Sequence, residues 1–192
     1  YNERIRLNGQ EVEDQDLCEA FARVDAARDR DSLTYFEFGT LAALDIFLRA
    51  GPDLAILEVG LGGRLDAVNL IDADLAIVTS IGRDHMAWLG ETLEEIALEK
   101  AGILRPGRPV VFGHRKPLPV LLGRAADLGC SAHVLGRDFD WSEESPGWRW
   151  TAPGLPPLSL AAPALRGRIQ FDNASSAIMA TACLRDRLTL SS

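Results

Sequence analysis

The sequence predicts an α/β protein: a doubly wound, mostly parallel sheet with helices on both faces and a small antiparallel β region near the C-terminal end. Short, continuous apolar runs alternate with segments in which apolar residues recur at helical spacing, as in a parallel sheet that is covered on both faces. After Gly129 the chain becomes rich in Trp, Pro, Gly and Ser. This composition is typical of short antiparallel strands joined by turns.

The predicted elements follow from these patterns. Apolar runs predict strands at 54–57, 75–78, 109–112 and 132–135. A weak alternation predicts a short strand over 4–10, ending in a turn at Asn8 and Gly9. Helical spacing predicts helices at about 14–28, 36–49, 92–104, 117–128 and 170–187. The domain layout expected from them is an α/β core over 1–130, an antiparallel β segment over 131–165 and a helix over 166–192.

Composition limits the classes of function. The chain has 192 residues, of which 47% are hydrophobic and 25% charged, and its net charge of −8 argues against non-specific nucleic-acid binding. Cys18, Cys130 and Cys183 are odd in number and widely spaced, which indicates reduced thiols and a cytoplasmic location. No apolar run approaches the length that spans a membrane.

Polar residues that follow the predicted strands are the candidates for chemistry, because open α/β sheets bind ligands at the carboxyl ends of their strands. Glu58 ends the first apolar run and precedes a glycine-rich loop, whose free backbone N–H groups can face an anion. His85 follows the next run, and Lys100 lies on the helix after it.

Taken singly, each of these signals has an ordinary alternative. Glu58 and its glycines also fit a tight turn with a surface carboxylate. His85 also fits a surface or packed histidine, and Lys100 a solvated lysine. The glycines do not match the G-x-G-x-x-G dinucleotide pattern.

Several segments together resemble the bifunctional dihydrofolate synthase/folylpolyglutamate synthase family, part of the Mur ligase superfamily. They are YNERIR at 1–6, LTYFEFGTLAA at 33–43, LEVGLGGRLDA at 57–67, TSI at 79–81, DH at 84–85, WLG at 88–90 and EKAGI at 99–103. The segments occur in the family's order and approximate spacing. The resemblance also extends to QFDNA at 170–174, which is similar to the family's Q-x-x-N-A.

The resemblance implies an ATP-dependent, cytoplasmic and monomeric ligase of folate biosynthesis and one-carbon metabolism. Such an enzyme adds L-glutamate to dihydropteroate, to (tetrahydro)folate or to both through an acyl phosphate, and releases ADP and phosphate. Its implied partners are these small molecules, without nucleic acid or membrane. The implied cofactor is Mg²⁺, with Mn²⁺ as a possibility, and ATP is the co-substrate.

The resemblance also assigns roles to single residues. It implies that Glu58 and His85 are metal ligands with a part in catalysis. It implies that Lys100 is catalytic, contacts ATP and is carbamylated, and that Asn173 lies near the adenine. The residues implied for the pterin pocket are Thr34, Phe36, Asp66 and Ala67. Glu58 suits Mg²⁺, which prefers oxygen ligands, whereas His85 is a less usual ligand for Mg²⁺ and fits Mn²⁺ equally well. A carbamate replaces the positive charge of lysine with a negative one.

The sequence departs from the family pattern in three ways. It contains no G-K-[S/T] phosphate loop, and the family's C-terminal domain is expected to be absent from it. Val68 stands where many relatives have threonine. The chain is therefore expected to be a truncated central domain that is inactive alone. The alternatives are another Mur-type ligase and a non-catalytic pterin-binding α/β module.

Overall fold

The computed structural model describes residues 1–83 and 85–188. Asp84, which belongs to one of the family-like segments, lies outside the described residues, as do the last four positions of the predicted C-terminal helical region. The chain divides into two compact units, Tyr1–Val59 and Gly60–Ser192. No helix in the described ranges is long and apolar enough to cross a membrane.

The first unit is a pair of helices preceded by a small hairpin. Its elements are a 3-10 turn at Asn2–Arg4, β1 (Arg6–Leu7), β2 (Gln10–Glu11), α1 (Asp14–Arg28) and α2 (Tyr35–Ala50). Both predicted helices are confirmed, and β1 and β2 pair antiparallel around the predicted turn at Asn8 and Gly9. One apolar cluster joins the hairpin to both helices and includes Ile5, Leu17, Ala20, Ala42 and Ile46.

Residues 54–57 do not form the predicted strand. They have no regular secondary structure, and the side chains of Leu54 and Ile56 are 48% and 83% exposed. An apolar run supplies only the propensity for a strand, whereas the strand itself requires a hydrogen-bonded neighbour. None of the described residues pairs with this run.

The described residues of the second unit form two sheets and four helices. Its parallel sheet has the order β3 (Ala76–Val78), β4 (Val110–Phe112), β5 (Ala132–Val134), and its antiparallel sheet has the order β6 (Asp140–Glu143), β7 (Trp148–Thr151), β8 (Leu158–Leu160). The helices are α3 (Met86–Leu89), α4 (Leu93–Ala101), α5 (Pro119–Asp127) and α6 (Arg168–Cys183). Three predicted parallel strands and the antiparallel region are confirmed, and α4, α5 and α6 confirm the predicted helices.

Strand β4 shows how the parallel sheet is covered on both faces. Val110 and Phe112 belong to an apolar cluster with residues of α4 and α5, such as Ala97 and Leu121. Val111 points the other way, into a cluster formed by α6 and the antiparallel sheet. All three strand residues are essentially inaccessible to solvent. The predicted α/β class, with a parallel sheet between two layers, is confirmed.

An ion pair between α1 and α2 makes the stability of the first unit depend on pH. Arg23 donates to the carboxylate of Asp45 at 2.9 and 2.7 Å, and Arg49 adds a longer contact at 3.2 Å. The Arg23 guanidinium is the main cause that lowers the pKa of Asp45 below its usual value. The ionised carboxylate therefore stabilises the folded state above the unfolded-state pKa of about 3.9, and this contribution is lost as pH falls through the folded-state pKa.

We expect Asp45→Asn to lower the free energy of unfolding by about 1–2 kcal/mol at pH 7, and the difference from the parent chain to shrink to nothing at strongly acidic pH. Urea unfolding followed by tyrosine fluorescence measures this, because both tyrosines lie in the first unit. Asp25→Asn is the matched control, since Asp25 is exposed and pairs only within α1. An equal loss at both pH values would contradict the prediction.

Candidate functional site

The glycine-rich loop of the second unit is organised around one carboxylate. Asp66 accepts hydrogen bonds from the backbone N–H groups of Gly60, Leu61 and Val68, at 2.9, 3.0 and 3.0 Å. It also caps the 3-10 turn Ala67–Leu70. Sequence reasoning placed Asp66 only in a pterin pocket and missed this role. Oδ2 already accepts two of these bonds, whereas Oδ1 accepts only the bond from Val68, so Oδ1 can still accept a bond from a ligand.

The loop packs directly on the C-terminal end of α4. The backbone N–H of Arg64 donates to the carbonyl of Glu99 at 2.9 Å, and its guanidinium binds the Glu99 carboxylate at 3.0 Å. A Cβ on Gly102 would lie 2.5 Å from the Cα of Arg64, so only glycine permits this approach. The contact joins the loop to the helix that carries Lys100.

Lys100 lies in the last turn of α4, between Glu99 and Gly102, which both contact the loop. A Cβ added to Gly63 would lie 3.2 Å from the Cα of Lys100. The side chain of Lys100 is only half-buried. Among residues 1–83 and 85–188, no carboxylate forms an ion pair with its ammonium group. A lysine held at a glycine loop without an anionic partner is suited to meet an anionic ligand.

His85 precedes α3 in a backbone conformation that is uncommon for a residue with a side chain. Its φ is 51° and its ψ 37°, in the left-handed region, and its carbonyl accepts from the N–H of Trp88 at 2.9 Å. Leu89 lies at the end of the same short helix. A Cβ added to Gly62 would lie only 2.7 Å from its side chain. The second unit thus brings the segments of His85, Asp66 and Lys100 together.

Three predicted site residues, Glu58, Phe36 and Thr34, belong to the first unit. Glu58 is exposed and follows the irregular run 54–57. Phe36 is 38% exposed on the first turn of α2. Thr34 caps that helix: its hydroxyl accepts from the N–H of Glu37 at 3.2 Å and donates to the Glu37 carboxylate at 2.8 Å. This capping box is a structural role that the sequence-based assignment of Thr34 to a pterin pocket did not include.

Asn173 lies exposed on the first turns of α6. The neighbouring Asp172 accepts from the indole N–H of Trp141 at 2.8 Å, which ties the helix to the antiparallel sheet. Ser176 lies one turn later, beside Gly113 at the carboxyl end of β4. A Cβ added to Gly113 would be 2.7 Å from the hydroxyl oxygen of Ser176. The start of α6 therefore lies at the sheet edge at which α/β proteins bind ligands.

A largely exposed ion pair lies beside this start of α6. Arg115, which follows β4, binds Asp140 of β6 through two hydrogen bonds of 2.9 and 2.6 Å. The Arg115 guanidinium is the largest cause that lowers the pKa of Asp140. The pair fixes the loop after β4 to the antiparallel sheet, and so to the same surface from which α6 begins.

Candidate metal ligands are not clustered within the described ranges. No three side chains of His, Cys, Asp or Glu come close enough there to hold a metal ion by themselves. Glu58 and His85 nonetheless offer an exposed carboxylate and an exposed imidazole, donor types that fit Mg²⁺ or Mn²⁺.

The fold agrees with comparison to known protein families. The family model of the Mur ligase middle domain matches residues 20–131. This chain belongs to that family.

Individual relatives of this chain have more specific descriptions than the family model. The chain is 47% identical over 152 residues to the dihydrofolate synthase/folylpolyglutamate synthase of Haemophilus influenzae, covering 78% of this chain and 34% of that protein. A solved structure of Escherichia coli FolC in complex with DHPP and ADP aligns with all of this chain and 45% of its own, at 40% identity and a TM-score of 0.89. A bifunctional folylpolyglutamate synthase/dihydrofolate synthase with Mn, AMPPNP and L-glutamate bound aligns to the same extent, at 41% identity and a TM-score of 0.87. The chain spans about a third of the length of the curated relative.

Proposed function

We propose that this chain provides the central part of an ATP-dependent ligase that joins L-glutamate to dihydropteroate, to (tetrahydro)folate or to both. The observation that carries the proposal is the packing of the Asp66 loop on α4 beside Lys100, in a chain similar to folate ligases throughout this region. The reaction forms an amide after ATP has converted the substrate carboxylate into an acyl phosphate, with ADP and phosphate as the other products.

In the second unit, Lys100 is the proposed catalytic residue and ATP contact. Negative charge develops on the transferred phosphoryl group, and preorganised positive charge offsets it without reorganisation during the reaction. An unmodified Lys100 would supply that positive charge itself, whereas a carbamylated Lys100 would act by holding a metal ion beside the phosphates. Lys100 is held in place because the residues on either side of it, Glu99 and Ala101, belong to the packed last turn of α4. Asn173, exposed at the start of α6, is the proposed adenine contact.

The proposed pterin-binding residues use two kinds of contact. Phe36 offers an exposed aromatic ring that can stack on a planar heterocycle. Asp66 offers the remaining lone pair of its Oδ1 to a ring N–H or amino group. Thr34 and Ala67 complete the set, Thr34 at the cap of α2 and Ala67 at the start of the 3-10 turn after Asp66.

Glu58 and His85 are the proposed metal ligands. A bound Mg²⁺ or Mn²⁺ supplies positive charge next to the phosphate oxygens of ATP. Glu58 contributes a carboxylate that is exposed and follows directly on residues without regular structure. His85 contributes an imidazole. The backbone of His85 is fixed because its carbonyl accepts two hydrogen bonds, from the N–H groups of Trp88 and Leu89.

The proposed setting is a cytoplasmic, monomeric enzyme. All three cysteines lie within the described ranges and are free thiols, as is usual in a reducing compartment. The proposed partners are small molecules: ATP, glutamate and the pterin-containing acid.

The test replaces the structurally aligned segment of Escherichia coli FolC with this chain. We expect the purified chimaera to release ADP and to form the glutamyl product only when ATP, glutamate and dihydropteroate or a folate are all present. Comparing dihydropteroate, tetrahydrofolate and a nucleotide-linked cell-wall peptide as acceptors separates the folate ligases from other Mur-type ligases. A folded chimaera that binds the pterin without ligating it would instead indicate a non-catalytic binding module.

A further inference from the structure

Beyond the residues assigned above, two side chains connect the Asp66 loop to the end of α4. We propose that Asn69 and Arg105 act as positioning residues that hold Asp66 and Lys100 in a fixed relative arrangement. We refer to Asn69 and Arg105 together as the loop clamp. The catalytic part of this inference rests on the proposed ligase function, whereas the structural part does not.

Asn69 uses its whole amide in the clamp. Its Nδ2 donates to the carbonyl of Arg64 at 3.1 Å and to the carbonyl of Gly102 at 3.2 Å, and its Oδ1 accepts from Arg105 at 2.9 Å. The first of these bonds closes the loop on itself. The other two attach it to the segment that follows Lys100. Asn69 is a partly buried residue, so these bonds are shielded in part from competing water.

Arg105 binds the loop from the other side. One of its terminal nitrogens donates to the backbone carbonyl of Asn69 at 2.8 Å and the other to the carbonyl of Gly102 at 3.3 Å. Its Nε also donates to the carboxylate of Asp72. Only 17% of the Arg105 side chain is exposed. A planar guanidinium can satisfy several carbonyls at once, which the single ammonium of a lysine cannot do in the same geometry.

The clamp completes a two-sided attachment around Lys100. On its N-terminal side, Glu99 binds Arg64 through both backbone and side chain. On its C-terminal side, Gly102 binds the two clamp residues. Asp66 lies between Arg64 and Asn69, so the residues that flank Asp66 bind the residues that flank Lys100. Since small displacements of reacting groups cost large factors in rate, loosening one side should act mainly on the chemical step.

The experiment compares Asn69→Ala and Arg105→Lys with the control Arg108→Ala in the FolC chimaera. The Arg108 side chain is half-exposed, and within the described residues it pairs with Asp74 at 3.5 Å. Its backbone N–H, which the substitution keeps, donates to the carbonyl of Arg105. At a temperature at which every variant is folded by tryptophan fluorescence, we expect both clamp variants to lower kcat by about ten- to a hundred-fold, with the KM for ATP changed less than about threefold. Arg108→Ala should match the parent.

Hydrogen exchange on the unaltered 192-residue chain and its variants tests the clamp without relying on ligase activity. We expect the amides of Gly60, Leu61 and Val68, which bind Asp66, to exchange at least about tenfold faster in Asn69→Ala, and amides of the core strand β4 to be unchanged. Unchanged exchange at the loop overturns the clamp. Faster exchange with the parent's kcat overturns its role in positioning. A chimaera that is folded but inactive overturns the proposed ligase function, while the exchange result still decides the clamp.

Discussion

Replacing Lys100 with methionine is expected to lower the kcat of the chimaera by about 10²–10³-fold, the scale of losing one preorganised electrostatic contact to a transition state. Methionine keeps much of the length and apolar surface of lysine and is a good helix former, so α4 should remain folded. The chain offers a matched control, because its only other lysine is Lys116, which is exposed in the loop after β4. Lys116→Met should stay within about twofold of the parent.

The same variant pair tests whether Lys100 acts as a carbamate. Carbamylation joins CO₂ to the neutral amine and releases one proton, so a carbamylated enzyme should lose activity when CO₂ and bicarbonate are removed and regain it when they are restored. We expect this dependence in the parent and in Lys116→Met. Parent activity that is independent of bicarbonate would leave Lys100 as a simple cation, and full activity of Lys100→Met would remove it from the mechanism.

The second large effect is expected in the core of the second unit. Trp150 on β7 is 1% exposed and belongs to the apolar cluster between α6 and the antiparallel sheet, whereas Trp88 on α3 is 81% exposed. Trp150→Ala should lower the free energy of unfolding by about 3–5 kcal/mol, through lost burial and the cavity left behind. Trp88→Ala should change it by less than about 0.5 kcal/mol. Urea unfolding followed by far-ultraviolet circular dichroism measures both.

A third variant at the same position separates packing from hydrogen bonding. The indole N–H of Trp150 is buried and has no hydrogen-bond partner within the described ranges. An unpaired buried donor costs about 1–3 kcal/mol. Trp150→Phe removes that donor along with part of the ring, so its loss of stability should be well below that of Trp150→Ala. Equal losses for the two variants would contradict this expectation.

The helices and the parallel strands could be predicted from the sequence because local patterns specify them. Apolar spacing marked α1 and α2, and the continuous apolar runs marked β3, β4 and β5. The same reasoning failed at residues 54–57. That run has the composition of a strand, but Ile56 is exposed and no described residue pairs with it. Composition reports what a segment can form, whereas pairing depends on residues distant in sequence.

The sequence by itself determined the family-like segments and the candidate residues Glu58, His85 and Lys100, because residue type and short spacing define them. Only the tertiary structure decided how the loop after Glu58 folds and what it packs against. It showed that the Asp66 carboxylate organises that loop and that Gly102 allows the loop to touch α4.

The tertiary structure alone also revealed the loop clamp. Asn69 and Arg105 are separated by 36 positions, and neither lies in a pattern that points to the other. Hydrogen bonds between residues so far apart leave no periodic trace in a sequence. The chemistry of single side chains can therefore be inferred from the sequence, while their fixed relative placement becomes visible only once the chain is folded.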